Sequence, residues 1–193
     1  VYGTGDVVLE NQFDIGEEFP PLPKIGLSIK IPNRFEQFSW YGRGPHESYW
    51  DRKTGAPVGV YHGTVSEQYV PYIMPQENGN KSDVRWACLM DENKIGLMVV
   101  GKSLLNVSAH HYSLENLTQA RHTNEVNESE EITWNIDHQL MGLGGDDSWN
   151  PRTHEEYLLK PGIYSYSLRI CPVVPHGFDI FTQSVKVLPE IGN

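Results

Sequence analysis

An all-β fold, a large antiparallel β-sandwich, is the architecture this sequence predicts. Three observations carry the expectation. Apolar residues recur with period two in segment after segment, and only one stretch supports a helix. The 18 glycines and 13 prolines punctuate the chain often enough to separate many short strands. An apolar share of 38% is enough for a core, so residues 1–193 read as one domain, with the patterned part running from about residue 5 to 172.

Taken in order, Val7 to Leu9 opens a strand. The Pro-rich connection Gly16 to Pro23 is long enough to cross from one sheet to the other. Leu27, Ile29 and Ile31 alternate with Ser28 and Lys30, which gives one apolar and one polar face. Phe35 to Tyr41 reads as the next strand. Gly42 to Val65, rich in aromatic, Gly, Pro and charged residues, reads as a long insertion. Loops of that length carry function or pack on another domain.

Val84 to Met90 and Ile95 to Val100 are strands joined through the hairpin Asp91-Glu92-Asn93-Lys94. The single helix is Leu114 to Ala120, with Ser113 as its N-cap and Leu114 and Leu117 on one face. Asn124 to Glu131 is an acidic, solvated turn, followed by a strand from Thr133 to His138. Tyr164, Tyr166, Leu168 and Ile170 alternate with Ser165, Ser167 and Arg169. Val173 to Asn193 reads as a last strand or a tail. Cys88 and Cys171 sit within apolar runs and read as two buried free thiols rather than a disulfide framework.

Charge excludes one class of partner. With 15 Lys and Arg against 25 Asp and Glu the net charge is −10, whereas phosphate binding needs clustered cations, so no nucleic-acid partner is expected. No run approaches the ~18 apolar residues of a membrane helix, and no membrane partner is expected. The chain opens in strand-like sequence without an initiator methionine and reads as a fragment of a longer protein.

The most unusual stretch is Gly142-Leu143-Gly144-Gly145-Asp146-Asp147-Ser148-Trp149-Asn150-Pro151. Its glycines permit backbone angles other residues avoid, and Pro151 closes the segment. An indole on such a turn is placed to be offered outward. An aromatic face beside carboxylate acceptors suits a sugar, whose C–H face packs on the ring while its hydroxyls donate to oxygens. Trp149 could equally fold back onto its own domain.

Asp146 and Asp147 admit several readings: acid and base, calcium ligands, caps of their own turn, or acceptors of contacts from a neighbouring domain. Glycosidase chemistry needs two carboxyls about 5–9.5 Å apart across the scissile bond, a geometry that adjacent residues on one turn rarely supply. Calcium loops want oxygens at alternating positions, which Gly144 to Ser148 lacks. Within the long insertion, Arg43, His46, Glu47, Asp51 and Arg52 read as a polar network that braces the loop. Direct relay from His46 to Glu47 is disfavoured because neighbours on an extended chain point apart. His110-His111 has no third ligand at suitable spacing, so no metal site is assigned.

These strings resemble, in order and spacing, the C-terminal "small chain" domain of family 2 β-galactosidases. They are the glycine-rich segment above, Trp40-Tyr41-Gly42-Arg43-Gly44-Pro45-His46-Glu47-Ser48-Tyr49, Asp51-Arg52, Tyr69 to Gly79, and Asp83-Val84-Arg85-Trp86. The resemblance implies a supersandwich of the galactose mutarotase-like type with one short helix. It also implies a catalytic barrel domain on the same polypeptide, which supplies the two glutamates for retaining hydrolysis of terminal β-galactosides. Trp149 would then be the sugar platform, with Ser148, Asp147 and Asp146 beside it, Gly144 and Gly145 supporting the loop, and no catalytic residue in this chain.

The same resemblance implies a galactoside substrate and a homo-oligomeric parent. Such parents use magnesium and sodium ions; Met74 and Pro75 match a position whose backbone carbonyls take part in a peripheral cation site, and no ion is assigned to this domain. A free-standing carbohydrate-binding module and an aldose 1-epimerase-like enzyme are the alternative readings.

Overall fold

A computed structural model describes residues 1–189. Eight strands form one antiparallel sheet: β1 (Val7–Ile15), β2 (Lys24–Pro32), β3 (Gln37–Arg43), β4 (Val58–Thr64), β5 (Lys81–Met90), β6 (Gly96–His110), β7 (Glu131–Leu140) and β8 (Gly162–Val173). The main path runs β1-β8-β6-β5-β3-β4, and β2 and β7 branch from it. The branch lies within β6. Its first part pairs with β8, from Gly96↔Val173 to Gly101↔Leu168, and its last part pairs with β7, from Asn106↔Asp137 to His110↔Thr133. The sandwich therefore consists of limbs of a single forked sheet rather than two separate sheets. Residues 16–23 pass from β1 on one limb to β2 on the other, as their length anticipated.

The alternation seen in the sequence decides which faces close on one another. Phe38 and Trp40 of β3, Leu89 of β5, Val107 of β6 and Trp134 of β7 meet in one core. Trp40 and Trp134 are fully buried, and truncating such a residue costs about 3–5 kcal/mol. The opposite face of β5 is buried as well. Trp86 and Cys88 join Met98, Cys171 and Val173 there, under Phe178 and Ile180 of the C-terminal segment.

Three expectations need correction. The segment 42–65 is not all loop: Val58–Thr64 is an edge strand paired with β3, its alternation hidden among glycines. Among the described residues there are two short α-helices, α1 (Leu114–Gln119) and α2 (Ile180–Ser184), rather than one. Ser113 accepts from the Asn116 amide at 3.1 Å and caps α1. Of the two readings offered for the segment after Val173, no strand forms as far as residue 189; α2 lies within it and it covers the second core, while residues 190–193 lie outside the described ones. Arg169, placed by alternation on a polar face, is buried against Asp6 at 3.3 Å, a carboxylate that also receives Lys186 at 3.3 Å.

The two thiols are free and buried. Cys88 aligns with Met98 and Met98 with Cys171, so they stand two strands apart. That is about 9–10 Å, beyond the ~7 Å reach of a disulfide.

Candidate functional site

Three loops meet at one rim of the sheet: residues 44–57 after β3, 65–80 before β5, and 141–161 between β7 and β8. The first two are stitched by backbone and side chain together. Ser48 donates its amide to the Asn80 carbonyl at 2.8 Å, and the Asn80 side-chain amide returns a bond to the Ser48 carbonyl at 2.7 Å. Glu47 is the hub. Its carboxylate accepts from Arg52 at 2.7 Å, from the Tyr72 hydroxyl, and from the Gly79 amide at 2.8 Å. Arg52 also donates to the Tyr72 hydroxyl at 3.1 Å, which closes a triangle.

A second knot lies at the base. Arg43 donates to Asp83 at 2.5 Å and to the carbonyls of Lys53 and Ala56 at 3.0 and 2.9 Å. Lys53 approaches the same carboxylate at 3.0 Å. Asp83 sits at a register break in β5 with φ 53, in the left-handed region, and that kink aims its side chain at both cations. Burial would raise the Asp83 carboxyl, but the Arg43 and Lys53 hydrogen bonds and charges outweigh it and hold it below the usual range.

Thus Arg43, Glu47 and Arg52 belong to bracing networks, and Asp51 to a third described next. His46 does not: it is exposed and makes none of the hydrogen bonds among the described residues. It stands instead at the edge of a cleft of about 460 Å³ lined also by Glu47, Asp51, Arg52 and Lys53. Of the two neighbours, only Glu47 reaches the hub.

The third loop carries the glycine-rich motif and is pinned at its neck. Asp51 accepts from the Gly144 amide at 2.8 Å, Thr153 donates its hydroxyl to the Gly142 carbonyl at 2.9 Å, and the Gly142 amide bonds the Tyr157 carbonyl at 2.9 Å. Gly144 and Gly145 have φ 68 and 74, and a Cβ at Gly144 would lie 2.6 Å from the Pro151 carbonyl oxygen. Trp50 meets Tyr157 edge-on at 5.7 Å and fills the angle beneath.

Above this neck, Asp147 accepts from the Trp149 amide at 2.7 Å and from the Asn150 amide. That is a local turn which frees the indole from its own backbone. Asp146 instead accepts from His154 at 2.9 Å. Ser148 is exposed, and Trp149 is 94% exposed, with its ring facing solvent.

Chemically, the rim offers an aromatic face, exposed carboxylates and a cleft. Hydrogen bonding to His154 holds the Asp146 carboxyl below its ordinary value, so it is anionic near neutrality and unsuited to donate a proton. His110 donates to the Asn78 carbonyl at 2.8 Å while His111 pairs with Glu36 at 2.7 Å, so the adjacent histidines serve different partners. Among the described residues no cluster of His, Cys, Asp and Glu is arranged to hold a metal ion.

Sequence reasoning gave no role to Tyr72, Lys53, Asp83, Thr153 or His154. Tyr72 and Asp83 fall inside the strings that carried the resemblance, which was the available signal for them. Lys53, Thr153 and His154 had none.

The class defined here is an antiparallel β domain that presents a bare indole on a braced, multi-loop rim. The β-galactosidase small chain family matches residues 1–170, and the chain belongs to that family. It is 40% identical over 159 residues to a β-galactosidase of Priestia megaterium (strain DSM 319 / IMG 1521), covering 82% of this chain and 15% of the relative. Similarity to β-galactosidases of Pseudoalteromonas haloplanktis (44% over 168 residues, 86% of this chain) and Vibrio cholerae serotype O1 (strain ATCC 39541 / Classical Ogawa 395 / O395; 39% over 170 residues, 88%) spans 16% of each relative. The chain therefore corresponds to about one-sixth of the length of the relatives it matches.

Proposed function

We propose that this chain is the non-catalytic C-terminal domain of a β-galactosidase. In this reading it completes one wall of an active site whose two glutamates belong to a barrel domain elsewhere on the same polypeptide. Trp149 serves as the platform on which the galactoside rests, with Asp146, Asp147 and Ser148 as flanking acceptors and the Glu47, Arg43 and Asp51 networks fixing the rim. One observation carries the reading: Trp149 is 94% exposed on a loop tied down at its neck, so the aromatic surface is both available and held. Apolar burial against a sugar face contributes about 1–2 kcal/mol per aromatic.

The test is Trp149→Ala in the intact enzyme. We expect KM for a galactoside to rise about tenfold with a smaller change in kcat, since an apolar contact of this size is worth about one decade in affinity. Unchanged KM in a folded variant sinks the platform. The isolated 193 residues should not turn over a chromogenic galactoside, and measurable turnover would overturn the non-catalytic assignment. Saturable lactose binding by the isolated chain would favour an independent carbohydrate-binding module over an accessory wall.

A further inference from the structure

The loop that carries Trp149 is closed by one contact that the proposed function does not use. Asp146 lies before the tip and His154 beyond it, and they meet at 2.9 Å, Nε2–H donating to the carboxylate. The other ties are not arranged in this way. Asp51–Gly144 and Thr153–Gly142 hold the neck, and Asp147 acts within the tip itself. The Asp146–His154 pair alone spans the two legs immediately flanking the segment 147–153. The backbone that carries the imidazole is fixed, since the His154 carbonyl accepts the Tyr157 amide at 3.0 Å and opens the turn Glu155–Tyr157.

We propose that His154, through Asp146, is a positioning residue for Trp149, a protonation-sensitive latch that holds the indole where a saccharide can meet it. This rests on the platform reading of Trp149 and adds to it a regulation of the same site. The groups facing His154 are Asp146 and Asp147 from the loop and Glu156 from its own turn, every one of them acidic. The hydrogen bond to Asp146 comes first, and with these charges it holds the imidazole above its ordinary value. The sign follows: the contact is charge-assisted while the imidazole is protonated and weakens as pH rises through its folded-state value. Both partners are more than half exposed, so solvent screens the pair and the effect is modest. Loosening costs binding rather than chemistry, because the latch touches no reacting atom.

The test is the pH dependence of galactoside kinetics in the intact enzyme, from about pH 5 to about pH 9, for the wild type, His154→Lys, Asp146→Asn and Trp149→Ala. Wild-type KM should rise by about two- to fivefold across an inflection that kcat does not share, a size suited to an exposed pair. His154→Lys keeps a cation throughout that range, so it should hold KM low and erase that inflection. Asp146→Asn should show the raised KM even at the acidic end. Persistence of the inflection in His154→Lys, or wild-type KM in Asp146→Asn, overturns the latch. If Trp149→Ala leaves KM unchanged at every pH, the platform reading fails instead. If Trp149→Ala raises KM while the latch variants behave as wild type, only the latch fails.

Discussion

Asp51 and Gly144 are 93 positions apart and joined by one bond, the Gly144 amide donating to Asp51 Oδ2 at 2.8 Å. It ties the first rim loop to the one that carries Trp149. Replacing Asp51 with Ala should cost about 1.5–3 kcal/mol, the range for a hydrogen bond to a charged group, read by urea unfolding. Gly144→Ala meets a different obstacle, with φ 68 and the Pro151 carbonyl 2.6 Å from the new methyl. It should destabilise by about 1 kcal/mol or more on backbone grounds. Either variant with an unchanged unfolding midpoint would show that the neck tolerates release.

Trp149 itself should matter little to stability. A side chain that is 94% exposed gives up almost no buried area on truncation, so Trp149→Ala should unfold within about 0.5 kcal/mol of the parent. A larger loss would mean that the ring packs on the domain.

Asp137 makes the fold less stable at neutral than at acid pH. It is 5% exposed beneath Gly26, and burial, helped by the Glu77 carboxylate and only partly offset by Lys24, pushes its carboxyl up to about 7. Because the folded value lies above the unfolded one, this group's contribution is fully present at acid pH and is lost as pH rises through about 7. Chemical denaturation at stepped pH should show that decline, and Asp137→Asn should flatten it. A wild-type profile in the variant would assign the slope elsewhere.

His110 acts in the opposite direction. Burial takes its imidazole down to about 4, with Lys81 and His111 adding to the fall and the Asn78 carbonyl resisting it. A depressed folded value means stability that is present above the ordinary imidazole range and lost as pH falls through about 4. His110→Gln should therefore remove part of the acid-side slope in the same titration, and an unaltered slope would exclude the group.

Burial also raises the Cys88 thiol to about 12, so almost no thiolate is present near neutrality. A disulfide-exchange reagent should leave Cys88 unmodified until the protein unfolds. Prompt labelling in the native state would contradict the packing of the second core.

Much of this fold was legible in the residue pattern, because burial imposes a period that side-chain type records. Leu27, Ile29 and Ile31 declared β2, and Tyr166 and Leu168 declared β8. β4 escaped because Gly59 and Gly63 occupy the positions where an inward apolar residue would have signalled it, leaving Val58 and Val60 exposed on an edge. Arg169 was misplaced because an alternating pattern cannot reveal that Asp6 waits behind the strand. At the rim, residue type suggested that Arg43, Glu47, Asp51 and Arg52 form a brace, but not that Asp83, Tyr72 and Gly144 are the partners. Those pairings join positions tens of residues apart, and chain geometry, not local propensity, brings them together. His46 has the same chemical credentials and makes no hydrogen bond among the described residues, a difference that residue type alone does not show.

The fork in β6 has a mechanical corollary. One strand supplies hydrogen bonds to β8 with its first part and to β7 with its last, while β5 runs along its other edge. Neither limb can detach without stripping part of that shared strand from the other, so the halves should melt as one cooperative unit. A cut between Lys102 and Leu105, where the allegiance changes, should do more harm than a cut in any peripheral loop.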